Sequence, residues 1–381
     1  MKTFESRKMG GWSDGIAPTI RRWIFVATIF VSLNLIPSAD AGTWPGANGW
    51  ITFEHLGKIW IVNPDLSEAR VLADGWKPSW SPDGNWIAFA SERDNDIDLY
   101  VIRADGTGEK QVTNNTAVDE YMPSWYDHDT LLFKAGGFEH TDPSDRQIVT
   151  VDIGETPTGV YMPIRGPVSP GDNSLAEPER SSLGDLVFVE FYFVTVNTLK
   201  TGVFTASGGG TPTLVSTSGQ TASSAGWSPN GQNVVYSEAV PNTHDSDIFT
   251  NNGAGGAPFN VTNTPSRRES SPRYSPDGKK IVFSDGEHLY VIDANGENEY
   301  KLVEGIGAYA PDWGIVPGST TPPTTPPKVY NNLYALLKIA FTSKIKKLKK
   351  QFKKAKSGGK VAKAKKIKAQ IKKFKKKLRS L

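Results

Sequence analysis

The sequence contains no cysteine in its 381 residues. This absence excludes disulfide bonds, thiolate metal sites and cysteine nucleophiles together. Histidine and methionine are also scarce, at five and four residues. The fold must therefore obtain its stability from packing.

Acidic residues are missing from the C-terminal 54 residues. Residues 328–381 hold 21 Lys or Arg and no Asp or Glu. The whole chain has 43 basic and 40 acidic residues, and residues 1–41 hold five and three of them, so 17 and 37 remain for residues 42–327. The body is therefore near −20 and the tail is +21, an asymmetry that bears on partners and solubility rather than on fold.

Glycine and proline are abundant, at 37 and 26 residues. This composition favours many short strands joined by tight turns over a helical bundle. We expect helices only near the ends of the chain.

The N-terminal segment has the order of a secretory signal. Arg21 and Arg22 precede an apolar run at residues 23–36, and small residues follow at Ser38-Ala39-Asp40-Ala41. This order predicts a signal peptide at residues 1–41, cleaved after Ala41. The run is shorter than the roughly 20 residues that span a bilayer, which disfavours the alternative of an uncleaved anchor.

A repeat occurs throughout the body. Three copies align almost without gaps: Pro78-Ser79-Trp80-Ser81-Pro82-Asp83-Gly84, Gly226-Trp227-Ser228-Pro229-Asn230-Gly231 and Pro272-Arg273-Tyr274-Ser275-Pro276-Asp277-Gly278. Divergent copies begin at Pro123 and Pro178. Proline with fixed φ, aspartate that bonds its own backbone and glycine with free φ close a tight hairpin. Each repeat therefore predicts four strands in a meander.

The spacing of the repeats predicts a ring. The anchor residues Trp80, Trp125, Arg180, Trp227, Tyr274 and Trp313 recur at intervals typical of propeller blades. The last anchor lacks a blade after it, and the strands predicted at residues 50–53, 58–62 and 70–72 lack a first strand before them. Joining the two ends gives an all-β, six-bladed β-propeller with Velcro-type ring closure at residues 42–316. The recurring aromatic anchors are expected to be core residues.

These residues carry a resemblance to a known family. The pattern Pro78-Ser79-Trp80-Ser81-Pro82-Asp83-Gly84, followed by Ile87-Ala88-Phe89 and Asp98-Leu99-Tyr100, resembles the TolB-like propeller repeat. The resemblance covers residues 49–315. It implies the propeller of TolB, a periplasmic protein-binding protein, and also the propellers that gate some serine peptidases. The sequence departs from both, because we find neither the TolB N-terminal domain nor a Gly-x-Ser-x-Gly elbow.

Few residues suggest catalysis. His55, His128, His140, His244 and His288 show no zinc-motif spacing. The acidic segments 93–98 and 244–248 offer oxygen atoms for calcium but lack the glycine and distal glutamate of a calcium loop, so solvated hairpin loops are the favoured interpretation. Glycine clusters at 208–210 and 253–256 read as turns. We expect no catalytic residue, no metal and no cofactor.

The tail follows a Pro/Thr-rich linker at residues 317–327. Apolar residues recur every three or four positions in residues 328–381, which predicts two basic amphipathic helices. We expect its lysines to bind an anionic membrane or envelope polymer, with nucleic acid disfavoured because phosphate binding needs no apolar stripe. These residues are Lys346, Lys347, Lys349, Lys350, Lys353, Lys354, Lys372, Lys373, Lys375, Lys376 and Lys377.

The sequence alone leaves three functions open. The first is a non-catalytic exported docking module of the periplasm, cell surface or extracellular space, monomeric, with a protein partner on the propeller face. The second is a propeller hydrolase or lyase with a composite metal site at the central mouth. The third is a structural surface component. The opposite charges of tail and body also suggest an intramolecular contact between tail and ring.

Overall fold

The computed structural model describes residues 45–93, 96–116, 119–136, 147–154, 162–163, 176–195, 198–207, 211–318, 349–350, 352 and 366–372. The predicted signal peptide, the glycine cluster 208–210, His140, most of the linker and most of the tail lie outside these residues.

Twenty-four strands form six four-stranded sheets in the described part of the chain. Blade 1 contains β4 (Trp76–Trp80), β5 (Trp86–Glu92), β6 (Ile97–Arg103) and β7 (Lys110–Gln111). Blade 2 contains β8 (Glu120–Trp125), β9 (Thr130–Ala135), β10 (Gln147–Asp152) and β11 (Met162–Pro163). Blade 3 contains β12 (Ala176–Arg180), β13 (Leu186–Thr195), β14 (Thr198–Ala206) and β15 (Thr213–Leu214).

The remaining sheets have the same antiparallel order. Blade 4 contains β16 (Ala222–Trp227), β17 (Asn233–Ala239), β18 (Ser246–Asn252) and β19 (Phe259–Asn260). Blade 5 contains β20 (Ser270–Tyr274), β21 (Lys280–Ser284), β22 (Leu289–Asp293) and β23 (Tyr300–Val303). Blade 6 contains β24 (Tyr309–Ile315), β1 (Asn48–His55), β2 (Lys58–Val62) and β3 (Ala69–Asp74), in that order. The fold is a six-bladed β-propeller, as the repeat predicted.

Blade 6 combines the first and last strands of the ring. In the antiparallel pair β24–β1, Ile51 lies opposite Trp313 and Thr52 lies opposite Asp312. The indole Nε1 of Trp313 donates a hydrogen bond to the carbonyl oxygen of Gly49 at 3.2 Å. The expected sharing of one sheet by the two ends is therefore present, and it leaves neither terminal strand as a free edge at this joint.

The apolar core lies between neighbouring blades. Ile51 and Trp60 of blade 6 pack with Val282 and Val291 of blade 5. Equivalent clusters join blades 1 and 2 and blades 4 and 5. Because the apolar side chains of one blade pack against those of the next, neighbouring blades stabilise one another.

The ring has two faces, which we name by their connections. The turn face carries the connections from the first to the second and from the third to the fourth strand of each blade. The mouth face carries the connections from the second to the third strand and those between blades. Equivalent turns of neighbouring blades lie on the same face. For example, Ser182 Oγ in a turn of blade 3 donates a hydrogen bond to the carbonyl oxygen of Pro229 in the matching turn of blade 4 at 2.9 Å.

The described part of the tail is helical. Residues 349–350, 352 and 366–372 are α-helix. Ile367 is buried, and the lysines on either side of it are exposed. Over residues 366–372 this pattern is that of an amphipathic helix, and most of the two helices predicted for residues 328–381 lies outside the described residues. Among the residues that the structure describes, no helix is long and apolar enough to cross a membrane.

Candidate functional site at the central channel

One residue in each inner strand has the same unusual backbone conformation. These residues have φ between 44° and 58°, and they are Lys77, Met122, Glu177, Ser224, Ser271 and Ala310. Left-handed backbone costs an ordinary residue roughly 1–2 kcal/mol. Its recurrence in all six blades makes it part of the architecture rather than a local accident.

The conformation accompanies a bulge. Pairing with the second strand shifts register between Trp76 and Ser79 in blade 1, and a comparable shift occurs in the inner strand of every other blade. Bulges bend a strand and re-aim its side chains. Here the re-aimed residues line the central cavity.

At the mouth end, an ion pair crosses two blades. Lys77 Nζ of blade 1 lies 3.3 Å from Glu177 Oε1 of blade 3. The Ser224 hydroxyl donates to the same oxygen at 3.5 Å. Burial raises the pKa of Glu177, but the positive charges of Lys77 and Arg273 and the hydrogen bonds lower it by more, so the pKa lies below its ordinary value. Glu177 is therefore a carboxylate at neutral pH.

A second ion pair lies deeper in the channel. Arg273 Nε of blade 5 is 3.5 Å from Glu179 Oε2 of blade 3, and Glu179 Oε1 accepts a hydrogen bond from the backbone N–H of Trp227 at 2.8 Å. Between them stands Gly226, where an added Cβ would come within 3.2 Å of both the Arg273 side chain and Glu179 Oε2. Glycine at this position gives the pair room to form.

Asp312 holds the junction of blades 6 and 1. Its Oδ2 accepts from the backbone N–H of Trp80 at 2.7 Å, and its Oδ1 accepts from the backbone N–H of Trp313 at 3.0 Å. Burial raises the pKa of Asp312 above its ordinary value, although Arg273 and the two hydrogen bonds oppose the rise. Oδ2 therefore joins β24 to β4, and Oδ1 is held within β24.

The cavity enclosed by these residues has a volume of about 80 Å³. This is room for a few water molecules and is well below the several hundred Å³ typical of small-molecule sites. Glu177 Oε2 is buried here without a hydrogen-bond partner. The channel is thus narrow and lined by charged side chains.

The aromatic anchors are core residues, as expected. Trp80, Trp125, Trp227, Tyr274 and Trp313 are each at most 8% exposed. Arg180, the one anchor that is not aromatic, is held by Tyr126. Its guanidinium lies over the Tyr126 ring at 4.3 Å from the centroid and donates a hydrogen bond to the Tyr126 carbonyl oxygen at 3.0 Å.

Two aspartates of the acidic segments lie in strands rather than in solvated turns. Asp98 and Asp247, at equivalent strand positions, are buried rather than solvated, which corrects the loop interpretation. Each accepts a hydrogen bond at 2.7 Å from an amide side chain of the fourth strand, Gln111 and Asn260 respectively. Burial of a carboxylate requires such a donor. These aspartates connect the third and fourth strands.

The histidines are dispersed over the described residues. His55 Nδ1 is 3.1 Å from the carbonyl oxygen of Gly307, and His288 Nδ1 is 3.2 Å from Asp285 Oδ2. His128 and His244 are exposed. Within the described part of the chain, no group of three His, Asp or Glu side chains could hold a metal ion.

The remaining sequence features are the second glycine cluster and the tail lysines. Gly253–Gly256 form a turn between β18 and β19, where a Cβ on Gly253 would collide with Trp227 at 2.7 Å. Lys349, Lys350 and Lys372 lie on exposed helix positions. The other eight tail lysines lie outside the described residues.

Sequence reasoning missed the charged channel. Its residues occupy the position before the recurring proline, as in Lys77 and Glu177, and the position after it, as in Glu179, Arg273 and Asp312. A column-by-column alignment of the repeats would have shown that these two positions vary while their neighbours recur. Two variable positions within an otherwise recurring repeat indicate residues with a role other than maintaining the fold.

Fold and channel together define a closed six-bladed propeller with a narrow channel of paired charges. No family model matches the chain. An uncharacterized protein of Agrobacterium fabrum is 26% identical over 141 residues, which are 35% of this chain and 43% of that protein. The match thus covers less than half of the relative.

Solved structures confirm the TolB-like propeller fold predicted from the repeat. TolB from Acinetobacter baumannii is similar with a TM-score of 0.55 and 17% identity, over 80% of this chain and 74% of that one. Hydrazine synthase of Kuenenia stuttgartiensis is similar with a TM-score of 0.56 and 14% identity, over 74% of this chain and 48% of that one. At such identities the similarity shows the fold alone.

Proposed function

We propose that this chain is a non-catalytic, exported binding protein. Its mouth face docks a protein partner, and its basic segment, residues 328–381, attaches it to an anionic membrane or envelope polymer. Export is supported by the signal-like order of residues 1–41. The neighbours in fold include both a TolB and an enzyme, so the proposal depends on the site and not on the fold.

The observation that carries this proposal is the engagement of the channel carboxylates. Glu179 and Asp312 each accept a backbone N–H of an anchor tryptophan, and Oε1 of Glu177 pairs with Lys77 while its Oε2 is buried. A general acid or base needs a free carboxyl within reach of a bound substrate. The cavity of about 80 Å³ offers little room for that substrate. The channel therefore supports binding at the surface better than chemistry inside.

The mouth face carries exposed apolar side chains in blade 6. Leu56, in the turn between β1 and β2, is 78% exposed, and Tyr309, at the start of β24, is 48% exposed. Glu54 lies opposite Tyr309 in the strand pair, which places both apolar residues at one edge of the mouth. Exposed aromatic and aliphatic residues with a polar rim are typical of docking surfaces.

The basic segment supplies the second contact. Its 21 Lys or Arg and its absence of acids favour a polyanion, and each lysine near an anionic bilayer adds about 1 kcal/mol. Apolar residues that recur every three or four positions in this segment add an apolar stripe to the charge, which suits a membrane interface.

A capture experiment tests the docking surface. The mature chain is used to capture proteins from an envelope extract, and a captured protein is purified and its affinity measured directly. We expect Leu56→Ser with Tyr309→Ser to weaken that affinity at least tenfold, whereas Leu183→Ser, a turn-face residue that is 65% exposed, leaves it unchanged. Equal affinities for all three proteins would contradict docking at the mouth.

Sedimentation with vesicles tests the anchor. The mature chain is expected to sediment with anionic vesicles and not with neutral ones, and a variant lacking residues 328–381 is expected to stay in solution. Metal analysis of the purified protein addresses the enzyme alternative, since a stoichiometric bound metal would favour the hydrolase or lyase. A variant without the segment that still sediments would overturn the anchor.

A further inference from the structure

The chain enters and exits the ring on the turn face. The backbone N–H of Gly46 donates to the carbonyl oxygen of Pro276 in the blade 5 turn at 3.1 Å. The N–H of Val316, just after β24, donates to the carbonyl oxygen of Ala47 at 3.0 Å. The linker to the basic segment therefore starts on this face.

The described connections of the turn face are almost entirely of one charge sign. The basic residues at the strand ends beside them are engaged, since Arg70 and Lys110 donate to the carbonyl oxygens of Ala104 and Ile153, and Lys280 pairs with Asp293. In the described connections of this face, Lys279 is the single Lys or Arg. The eleven acidic residues are Asp65, Glu68, Asp83, Asp105, Glu109, Asp127, Asp129, Asp185, Asp277, Glu297 and Glu299. None of them is buried.

Most of these carboxylates form no ion pair with a described residue. Glu68, Glu109 and Glu299 form ion pairs with Arg70, Arg93 and Arg267. The other eight form no ion pair with any residue that the structure describes. Several accept hydrogen bonds within their own turns, which hold the charge in place without neutralising it; Asp83 and Asp277 each accept from the serine two residues earlier at 2.6 Å.

The mouth face is more balanced. Its described connections hold seven acidic residues, Asp96, Asp119, Asp245, Glu269, Asp285, Glu287 and Glu304, and three basic ones, Arg93, Arg267 and Arg268. Arg267 pairs with Glu269 on this face and also reaches Glu299 in the connection between β22 and β23. A polycation would therefore meet the stronger field at the turn face.

The chain tethers such a polycation to this face through the linker. Residues 328–381 follow the linker of residues 317–327, whose extended length is about 34 Å at roughly 3.1 Å per residue. A tether of this kind gives an effective concentration in the millimolar range. Like charges at neighbouring helix positions also oppose folding of the free segment, and an acidic surface relieves that repulsion.

We propose that the turn face is the docking surface for the chain's own basic segment, residues 328–381. Docking places the +21 segment against the eight unpaired carboxylates and leaves the mouth face open. An external anionic surface then competes with the ring for the segment. The contact does not depend on the proposed anchoring function, because it involves groups of one chain only.

Carbodiimide cross-linking of the mature chain tests the location. This reagent joins a carboxylate directly to a lysine in contact with it, and peptide mapping of the monomer fraction identifies the pair. We expect segment lysines to link to turn-face carboxylates at least fivefold more often than to mouth-face carboxylates. The yield should fall severalfold at about 1 M salt, where the screening length is about 3 Å. Equal links to both faces, or links only between molecules, would overturn the proposal.

Tryptic cleavage of the segment gives an independent measurement. Rates are expressed relative to the free peptide of residues 328–381 in the same buffer. We expect the triple variant Asp129→Asn, Asp185→Asn, Glu297→Gln to be cleaved at least twofold faster than the natural chain at low salt. The matched variant Glu92→Gln, Glu287→Gln, Glu304→Gln changes two mouth-face connections and the last residue of β5, which ends at the mouth face, and it should behave as the natural chain. Equal acceleration by both variants would contradict docking on the turn face.

These outcomes separate this inference from the anchoring function. If the segment cross-links to the turn face but the mature chain fails to sediment with anionic vesicles, the anchor is wrong and the intramolecular contact stands. If the chain sediments but neither cross-links nor protection are found, the reverse holds.

Discussion

The turn face and the mouth face are built by different rules. On the turn face the same short sequence recurs with the same contacts: Ser81 Oγ bonds Asp83 and Ser275 Oγ bonds Asp277, both at 2.6 Å. On the mouth face the connections differ in length and composition from blade to blade, and they surround the charged entrance of the channel. The comparison teaches that one side of the ring maintains the fold while the other is free to vary, as loops that carry function usually are.

The channel connects the two sides. Its mouth end holds the Lys77–Glu177 pair, and its turn end holds Gly314 against Trp80. Substitutions near the turn face should therefore lower the free energy of unfolding most, through lost packing, and substitutions at the mouth should change it least. The following predictions test that gradient, beginning with the largest.

Gly314→Ala should cause the largest loss. An added Cβ would lie 2.3 Å from the Trp80 indole, inside the packed junction of blades 6 and 1. Overpacking of this severity costs about 3 kcal/mol. The control is Gly305→Ala in a mouth-face connection, where φ is +70° but no atom lies within 4 Å, so only about 1 kcal/mol of backbone strain is expected. Urea midpoints measure both, and similar losses would remove the distinction between the two sides.

Arg273→Met should destabilise by about 2 kcal/mol, because it leaves Glu179 charged and mostly buried. Adding Glu179→Gln to the same chain should recover about 1 kcal/mol through the coupling of the pair. Denaturation of the two single variants, the double variant and the natural chain gives this coupling directly. Additive losses would show that the pair contributes no coupling.

Glu177→Gln should have an effect that depends on pH. The pKa of Glu177 is lowered in the folded protein, so its ionised form adds stability above the unfolded pKa of about 4.3, and this contribution disappears as pH falls through the folded pKa. The natural chain should therefore exceed the variant in stability at pH 7 and lose that advantage in acid. The natural chain should likewise be more stable than Lys77→Met at pH 7 and lose that difference in acid. A difference independent of pH between about 3 and 7 would exclude the ionic origin.

Leu56→Ser should have the smallest effect on folding. The side chain is 78% exposed, and substitutions at such surface positions usually change stability by less than about 0.5 kcal/mol. Leu183→Ser on the turn face should be equally mild. Thermal unfolding of both variants checks this, and a large loss for Leu56→Ser would mean that the residue is packed rather than available to a partner.

Much of the ring was predictable because its signals are local. The turn chemistry of Ser-Pro-Asp-Gly and the spacing of Trp80, Trp125 and Trp227 predicted the blades and their number. The channel was not predictable in the same way. Lys77 and Glu177 are separated by 100 residues and meet only once three blades are in place. Asp98 showed a similar limit: it lies in a polar stretch of sequence and yet is buried, because Gln111 supplies its donor.

The sequence by itself determined the repeat, the strand pattern, the joining of the two ends and the opposite charges of body and tail, because each depends on neighbouring residues or on composition. Tertiary structure decided which charges meet across the channel, which aspartates are buried and which face carries the unpaired carboxylates. The physical reason is geometric. A strand alternates its side chains by a local rule, but only ring closure sets the distances between blades and hence which groups can form an ion pair.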